Sequence, residues 1–126
     1  MLKGLLVGGI TLGVAAVFPE ALVFPFLAVV LGVMAGAYPG MAMADPRSGS
    51  VPAHWAVAVL LTTLGLAGLW ISPALLGLAF LLHCLWSFLL RSTALGDWMT
   101  EGFPSFSIPF DLVLAGFALY VWSAGP

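Results

Sequence analysis

Five apolar runs, separated by proline-bearing or polar breaks, dominate the sequence. They cover residues 2–18, 21–43, 53–70, 74–90 and 108–122. At about 17 residues, a typical run is at the short end of what spans the hydrocarbon of a bilayer as a helix. An open sheet would leave backbone groups without hydrogen-bond partners in lipid, so the runs predict helices.

We therefore expect an all-α integral membrane helical bundle of five short transmembrane helices. The alternative is four spans plus a re-entrant or interfacial segment. A chain of 126 residues is short enough for one domain, so residues 1–126 are expected to form a single transmembrane helical domain.

Charged residues are too scarce to cover a soluble domain. They make up 6% of this chain, against about 25% in soluble proteins. The net charge of −2 and the lack of a basic run argue against nucleic acid as a partner. No phosphate-binding loop, nucleophile triad or carboxylate pair is visible, and the lone Cys84 fits no zinc or redox spacing. The sequence therefore does not favour an enzyme and identifies neither a cofactor nor a metal site.

The breaks predict how the helices are oriented. The breaks at 18–20 and 71–73 are tight, which favours two antiparallel hairpins, from helices one and two and from helices three and four. With five spans, Lys3, Arg47 and Arg91 fall on one side, and Glu20 is alone on the other. The positive-inside rule then places the N-terminus in the cytoplasm and the C-terminus outside the inner (plasma) membrane.

Tryptophans and a tyrosine lie near the predicted helix ends, where aromatic rings anchor in the headgroup layer. These residues are Trp55, Trp70, Tyr120 and Trp122. Trp98, in the last long break, suggests that this segment lies along the membrane surface.

Glycines predict close helix packing. Lipid leaves little hydrophobic driving force between helices, so close van der Waals contact must hold them together. The packing candidates are Gly4, Gly8, Gly9 and Gly13 in the first run and Gly32 and Gly36 in the second. Two interpretations stay open: contacts within this chain, or a face that docks a partner membrane subunit or a second copy.

Two ionisable residues lie within apolar runs, where burial is costly and a functional site is the default hypothesis. His83 is near the middle of the fourth run, and Asp111 is in the first turns of the fifth. Their predicted depths allow them to meet as a polar centre, with Trp86 on the His83 face. Such a pair can relay a proton, contribute to a ligand or cofactor site, or hold two helices together. His54 and Glu20 are at helix ends and are expected to be solvated.

Several short patterns resemble a family of small bacterial multi-pass membrane proteins of unknown function. The similar residues are Pro19-Glu20, Ala35-Gly36-Ala37-Tyr38, Leu81-Leu82-His83 with Trp86, Asp111, and Tyr120-Val121-Trp122 before Gly125-Pro126. This chain has Ser87, Leu90, Arg91 and Phe110 where the family pattern has Asp, a His pair and Cys. The resemblance implies a scaffold of membrane helices and carries no known activity.

Two classes of function follow from these features. The first is a structural or accessory subunit that packs against partner transmembrane helices or against itself, which the glycines and the scarcity of motifs favour. The second is a small transporter, or a membrane-embedded ligand-binding protein or enzyme, that uses a His83–Asp111 polar centre.

Overall fold

A computed structural model describes residues 1–93, 96–99 and 102–124. It contains five helices, and the described residues form no strand. The helices are α1 (Leu2–Ala15), α2 (Glu20–Ala44), α3 (Val51–Trp70), α4 (Pro73–Ser92) and α5 (Gly102–Ala124). The predicted all-α bundle is therefore confirmed; the Gly125-Pro126 end of the family pattern lies outside the described residues.

Four helices, α2 to α5, are long and apolar enough to cross a membrane. The first helix is apolar but has only 14 residues, a length of about 21 Å. The chain is thus a polytopic membrane protein with four full-length spans and one shorter apolar helix beside them.

The last helix begins at Gly102, earlier than the predicted start near residue 108. The prediction used Pro109 as the first-turn proline, but Pro104 occupies that turn and Pro109 is internal. A proline in the first turn is tolerated because the backbone N–H groups there have no helical partner. Because α5 begins at Gly102, Asp111 lies deeper in the helix than predicted.

The predicted hairpin of α3 and α4 is present, and it is tight. A Cβ on Gly68 would lie 2.8 Å from the backbone nitrogen of Leu76, so only glycine allows this approach. The predicted pairing of α1 with α2 differs from the structure, since these two helices barely touch. A short turn fixes the reversal of the chain but does not decide which faces pack.

The first helix packs instead against the last, and the two run parallel. Gly4 is against the carbonyl of Phe106 and the ring of Pro109, and Gly8 is against Val113. Rising numbers in one helix match rising numbers in the other. Helix α1 therefore completes the bundle beside α5, at the opposite end of the sequence.

The connections define two ends of the bundle. At the Arg47 end, the connection between α2 and α3 meets the connection between α4 and α5, because Arg47 donates a hydrogen bond to the Trp98 carbonyl at 3.0 Å. At the Glu20 end, Glu20 and Ser72 line one groove. This arrangement matches the predicted sorting of Arg47 and Glu20 to opposite ends.

An apolar core fills the middle of the bundle and the half towards the Glu20 end. Its fully buried members come from α2, α4 and α5: Leu27, Leu31, Leu76, Ala79, Phe80 and Leu114. Trp55, Trp70, Tyr120 and Trp122 are exposed on the outside, as anchors in a headgroup layer would be.

Candidate functional site

His83 and Asp111 meet in the interior of the bundle. The Nδ1 atom of His83 is 2.7 Å from Oδ2 of Asp111, and both side chains are 0% exposed. His83 is nine residues before Ser92, and Asp111 is nine residues after Gly102. Each is thus about 14 Å from the Arg47 end of its helix, near the middle of a hydrocarbon core about 30 Å thick.

A chain of buried hydroxyls extends this pair across three helices. Ser107 of α5 donates to Oδ2 of Asp111 at 2.8 Å. Ser87 of α4 donates to Ser107 at 3.1 Å, and Tyr38 of α2 donates to Ser87 at 2.7 Å. We call these five residues, Tyr38, Ser87, Ser107, Asp111 and His83, the polar centre.

Two donors of the polar centre, Nδ1 of His83 and the Ser107 hydroxyl, share one carboxylate oxygen, Oδ2 of Asp111. A carboxylate only accepts hydrogen bonds, so Nδ1 of His83 carries the hydrogen of the contact with Asp111. In a neutral imidazole the other nitrogen, Nε2, is then an acceptor. Both Nε2 of His83 and Oδ1 of Asp111 are buried without a hydrogen-bond partner in the protein. The centre therefore has two free proton acceptors in a place where an unpaired polar atom is costly.

His54 lies between the polar centre and the Arg47 end. It was predicted to be solvated, but it is buried. Its side chain is 1% exposed, and its Nε2 atom is 3.0 Å from the Ser50 hydroxyl. Three aromatic rings surround it, with centroids 6.1 Å away for Tyr38, 5.5 Å for Trp86 and 5.6 Å for Trp98. The prediction failed because three other elements cover the first turn of α3. Nδ1 of His54 has no hydrogen-bond partner in the protein.

Trp86 also differs from its predicted place. Its ring packs against His54, whereas the ring next to His83 is Tyr38, at a centroid distance of 5.4 Å. The Trp86 indole N–H is buried without a hydrogen-bond partner. Trp86 therefore belongs to the surroundings of His54 rather than to the His83–Asp111 contact.

An ion pair closes the Arg47 end above His54. The guanidinium of Arg47 binds both carboxylate oxygens of Asp45, with Nη2 to Oδ2 at 2.6 Å. These hydrogen bonds lower the pKa of Asp45 from 3.8 to about 2 and raise the pKa of Arg47. The same guanidinium holds the Trp98 carbonyl, so the ion pair fastens Trp98 across the His54 ring.

The six predicted packing glycines fall into two groups. Gly4 and Gly8 contact α5, as described above. A Cβ at any of the other four would meet no atom within 4 Å: Gly9, Gly13, Gly32 and Gly36. These four do not pack within this chain, because they face outward; Gly32 and Gly36 line an open groove of about 290 Å³ with Trp55 and Thr62.

The arrangement is suited to protons rather than to metal ions. Across residues 1–93, 96–99 and 102–124, no three His, Cys, Asp or Glu side chains are grouped so as to hold a metal. The Cys84 thiol is 3.7 Å from the Ile108 carbonyl. An imidazole against a carboxylate can take up and release a proton, and the hydroxyls beside it can pass one on.

Sequence reasoning found His83 and Asp111 but missed the three hydroxyl residues. A signal was present: Ser87 is four residues after His83, and Ser107 is four residues before Asp111. Positions four apart share a helix face, so each serine had to lie beside its ionisable partner. Tyr38 was named in the sequence only within the Ala35-Gly36-Ala37-Tyr38 part of the family resemblance.

Comparison of the chain with protein-family models, curated proteins and solved structures gave no match.

Proposed function

We propose that this polytopic membrane protein moves protons, as a small proton-linked transporter whose carrier is the His83–Asp111 pair. One observation carries the proposal. Four buried side chains from three helices form one hydrogen-bonded network with a single carboxylate, and that carboxylate and its histidine each keep one free acceptor atom.

Burial argues for function over simple stability. Among the Asp, Glu, Lys and Arg side chains that the structure describes, Asp111 is the only one that is fully buried. Replacing a buried ionic pair with packed apolar residues is often neutral or stabilising, so stability alone does not explain why the pair is there. Ionisable residues inside a membrane bundle typically mark ion paths and proton relays.

Enclosure argues for the proton over a larger ligand. His83, Asp111, Ser87 and Ser107 are all 0% exposed. A proton is the one ligand that binds to Nε2 of His83 or to Oδ1 of Asp111 without needing room of its own. The same two atoms are the acceptors left over when the hydrogen bonds of the polar centre are counted.

The experiment is proton uptake by proteoliposomes that contain a pH-sensitive dye. A pH gradient across the membrane should drive dye response in the wild type. Asp111→Asn keeps the shape of the side chain and removes its proton-binding charge, so it should abolish the response. His83→Gln should do the same. Glu20→Gln is the matched control, because Glu20 is an exposed carboxylate at the far end of the bundle.

Equal uptake by the wild type, Asp111→Asn and empty liposomes would refute the proposal. Thermal unfolding of each variant in the same detergent separates loss of transport from loss of fold. A folded Asp111→Asn protein that transports normally assigns the polar centre to packing.

Orientation forms part of the same proposal. Lys3, Arg47 and Arg91 belong to the Arg47 end, which the positive-inside rule assigns to the cytoplasm, with the C-terminus outside. A Ser123→Cys variant on a Cys84→Ser background tests this assignment. An impermeant maleimide should label it in intact cells; labelling only after lysis would reverse the orientation.

A second function, that of an accessory subunit, is favoured by a different observation. Gly9, Gly13, Gly32 and Gly36 have open space beside them, which is where another membrane helix could approach closely. The test is native mass spectrometry after gentle solubilisation, with Gly13→Leu compared with the wild type. Loss of a co-migrating partner without loss of thermal stability supports this function, and a monomer in both samples contradicts it.

A further inference from the structure

We propose that protons reach the polar centre from the Arg47 end and that His54 is the residue that passes them inward. This inference rests on the proposed proton function and adds the route. The route runs from Ser50 to His54, then to Tyr38 and along its hydroxyl partners to Asp111.

The polar side chains of the route lie at increasing depth from one end of the bundle. His54 is three residues into α3, or about 5 Å from the Arg47 end, and Tyr38 is six residues before the end of α2, or about 9 Å. Asp111 is about 14 Å deep by the same rise per residue. The hydrocarbon half-thickness is about 15 Å, so these residues cover the path from water to the membrane centre.

The two ring nitrogens of His54 have different surroundings. Its Nε2 is 3.0 Å from the hydroxyl of Ser50, which is partly exposed at the Arg47 end. Its Nδ1 is buried and free of protein partners, and the ring is stacked on Tyr38 at an interplanar angle of 16°. A two-nitrogen ring can accept a proton on one side and release another on the other side.

The proton balance closes along this route. A proton from water adds to Nε2 of His54, and the Nδ1 hydrogen leaves towards the Tyr38 oxygen through one bridging water. The Tyr38 hydrogen moves to Ser87, the Ser87 hydrogen to Ser107, and the Ser107 hydrogen to Oδ2 of Asp111. Each hydroxyl ends neutral, and the carboxylate becomes a carboxylic acid. The single Ser87 hydrogen, which also reaches the His83 carbonyl at 2.9 Å, turns to Ser107 for this step.

Aromatic rings and one hydroxyl surround the His54 side chain. Tyr38, Trp86 and Trp98 supply rings, and Ser50 supplies the hydroxyl. The nearby charges at this end, Asp45 and Arg47, bind each other. Arg47 also fastens the Trp98 carbonyl, which keeps the indole over His54 and limits entry to the Ser50 side.

The test uses the fact that the chain has two histidines and two tyrosines. In protein with ¹⁵N-labelled histidine, NMR in micelles measures how fast the His83 Nδ1 hydrogen exchanges with water. His54→Phe keeps a ring among the three aromatic neighbours and removes both nitrogens. We expect exchange at His83 to slow at least about tenfold, the factor that corresponds to about 1.4 kcal/mol.

Tyr38→Phe should slow the exchange similarly, and it provides an independent variant if His54→Phe does not fold. Tyr120→Phe is the matched control, since Tyr120 is 70% exposed on the outside of the bundle and should change nothing. Unchanged exchange in both His54→Phe and Tyr38→Phe overturns the route, while normal proteoliposome uptake by the wild type leaves the proton function standing.

Discussion

The two halves of the bundle are held together in lipid by different interactions. Towards the Glu20 end, the interior is apolar and is made of branched and aromatic side chains such as Leu31, Leu76 and Phe80. Towards the Arg47 end, the interior holds His54, Tyr38 and the rest of the polar centre. One half depends on shape, whereas the other depends on hydrogen bonds.

The difference matters because the surrounding solvent is as apolar as the core. An apolar side chain that moves from lipid into the interior stabilises the fold only through close van der Waals contact. In the apolar half, the fold is therefore destabilised mainly by gaps or clashes. A polar side chain has no partner in lipid, so it is stable only where the protein supplies one. Substitutions in the two halves should therefore fail for different reasons and be rescued by different second changes.

The largest effect is expected from His83→Leu. It removes the partner of a buried carboxylate, and breaking a buried pair in this way typically destabilises by about 3–5 kcal/mol. The double variant His83→Leu/Asp111→Leu should recover most of the loss, because no charge is then left unpaired. Thermal unfolding in one detergent ranks the three proteins. A double variant less stable than the single one would contradict this account of the polar half.

In the apolar half, Gly68→Ala should destabilise by overpacking. Its Cβ would lie 2.8 Å from the Leu76 nitrogen and 2.9 Å from the Leu76 Cβ, so the two helices must separate. Overpacking of this kind costs about 1–3 kcal/mol. Gly116→Ala, which has open space, is the matched control and should not lower the unfolding temperature, since alanine favours a helix more than glycine does. Equal behaviour of the two alanines would mean that the hairpin is looser than described.

A smaller effect is expected from Tyr38→Phe, which removes one hydroxyl from the polar half and keeps the ring. Ser87 still bonds the His83 carbonyl at 2.9 Å, so no buried group loses its last partner. The loss should be about 0.5–1.5 kcal/mol, the net value of one hydrogen bond. Tyr120→Phe on the lipid face should show no change in the same unfolding assay. A loss above that range would indicate that the network acts as one unit.

The smallest effect should come from acid at the rim of the polar half. The pKa of Asp45 is lowered from 3.8 to about 2, so its pairing with Arg47 stabilises the fold fully above 3.8 and loses that effect as the pH falls towards about 2. Wild type and Asp45→Asn should therefore differ slightly in unfolding temperature near neutral pH and coincide at about pH 2. A difference that widens on acidification would contradict the assignment. Salt should also reduce it, since Arg47 is exposed.

The sequence predicted the helices better than it predicted their neighbours. Apolar runs and prolines located all five helices, because length and hydropathy are local properties. The sequence could not predict that α1 packs against α5. A helix that faces lipid on one side and protein on the other is apolar all round, so its pattern does not show which face packs. Two prolines five residues apart, Pro104 and Pro109, also offered two starts for α5, and packing selected the earlier one.

The polar centre was only half visible for a similar reason. A histidine and an aspartate are conspicuous in an apolar run, whereas a serine is tolerated in any membrane helix because its hydroxyl can bond the carbonyl four residues earlier. Ser87 does make that bond, to His83, and it links Tyr38 to Ser107 as well. In the sequence it stood out only as a departure from the pattern that the chain resembles.

The parallel contact of α1 with α5 has a consequence for biosynthesis. A ribosome delivers helices to the membrane in order, so α1 enters the bilayer before its partner α5. Gly4 and Gly8 therefore face lipid while the whole chain between Ala15 and Gly102 is still being made. Asp111 arrives with that last helix, when His83 is already in the membrane to receive it. Insertion of α5 is therefore a late event that forms two contacts: that of α5 with α1, and that of Asp111 with His83.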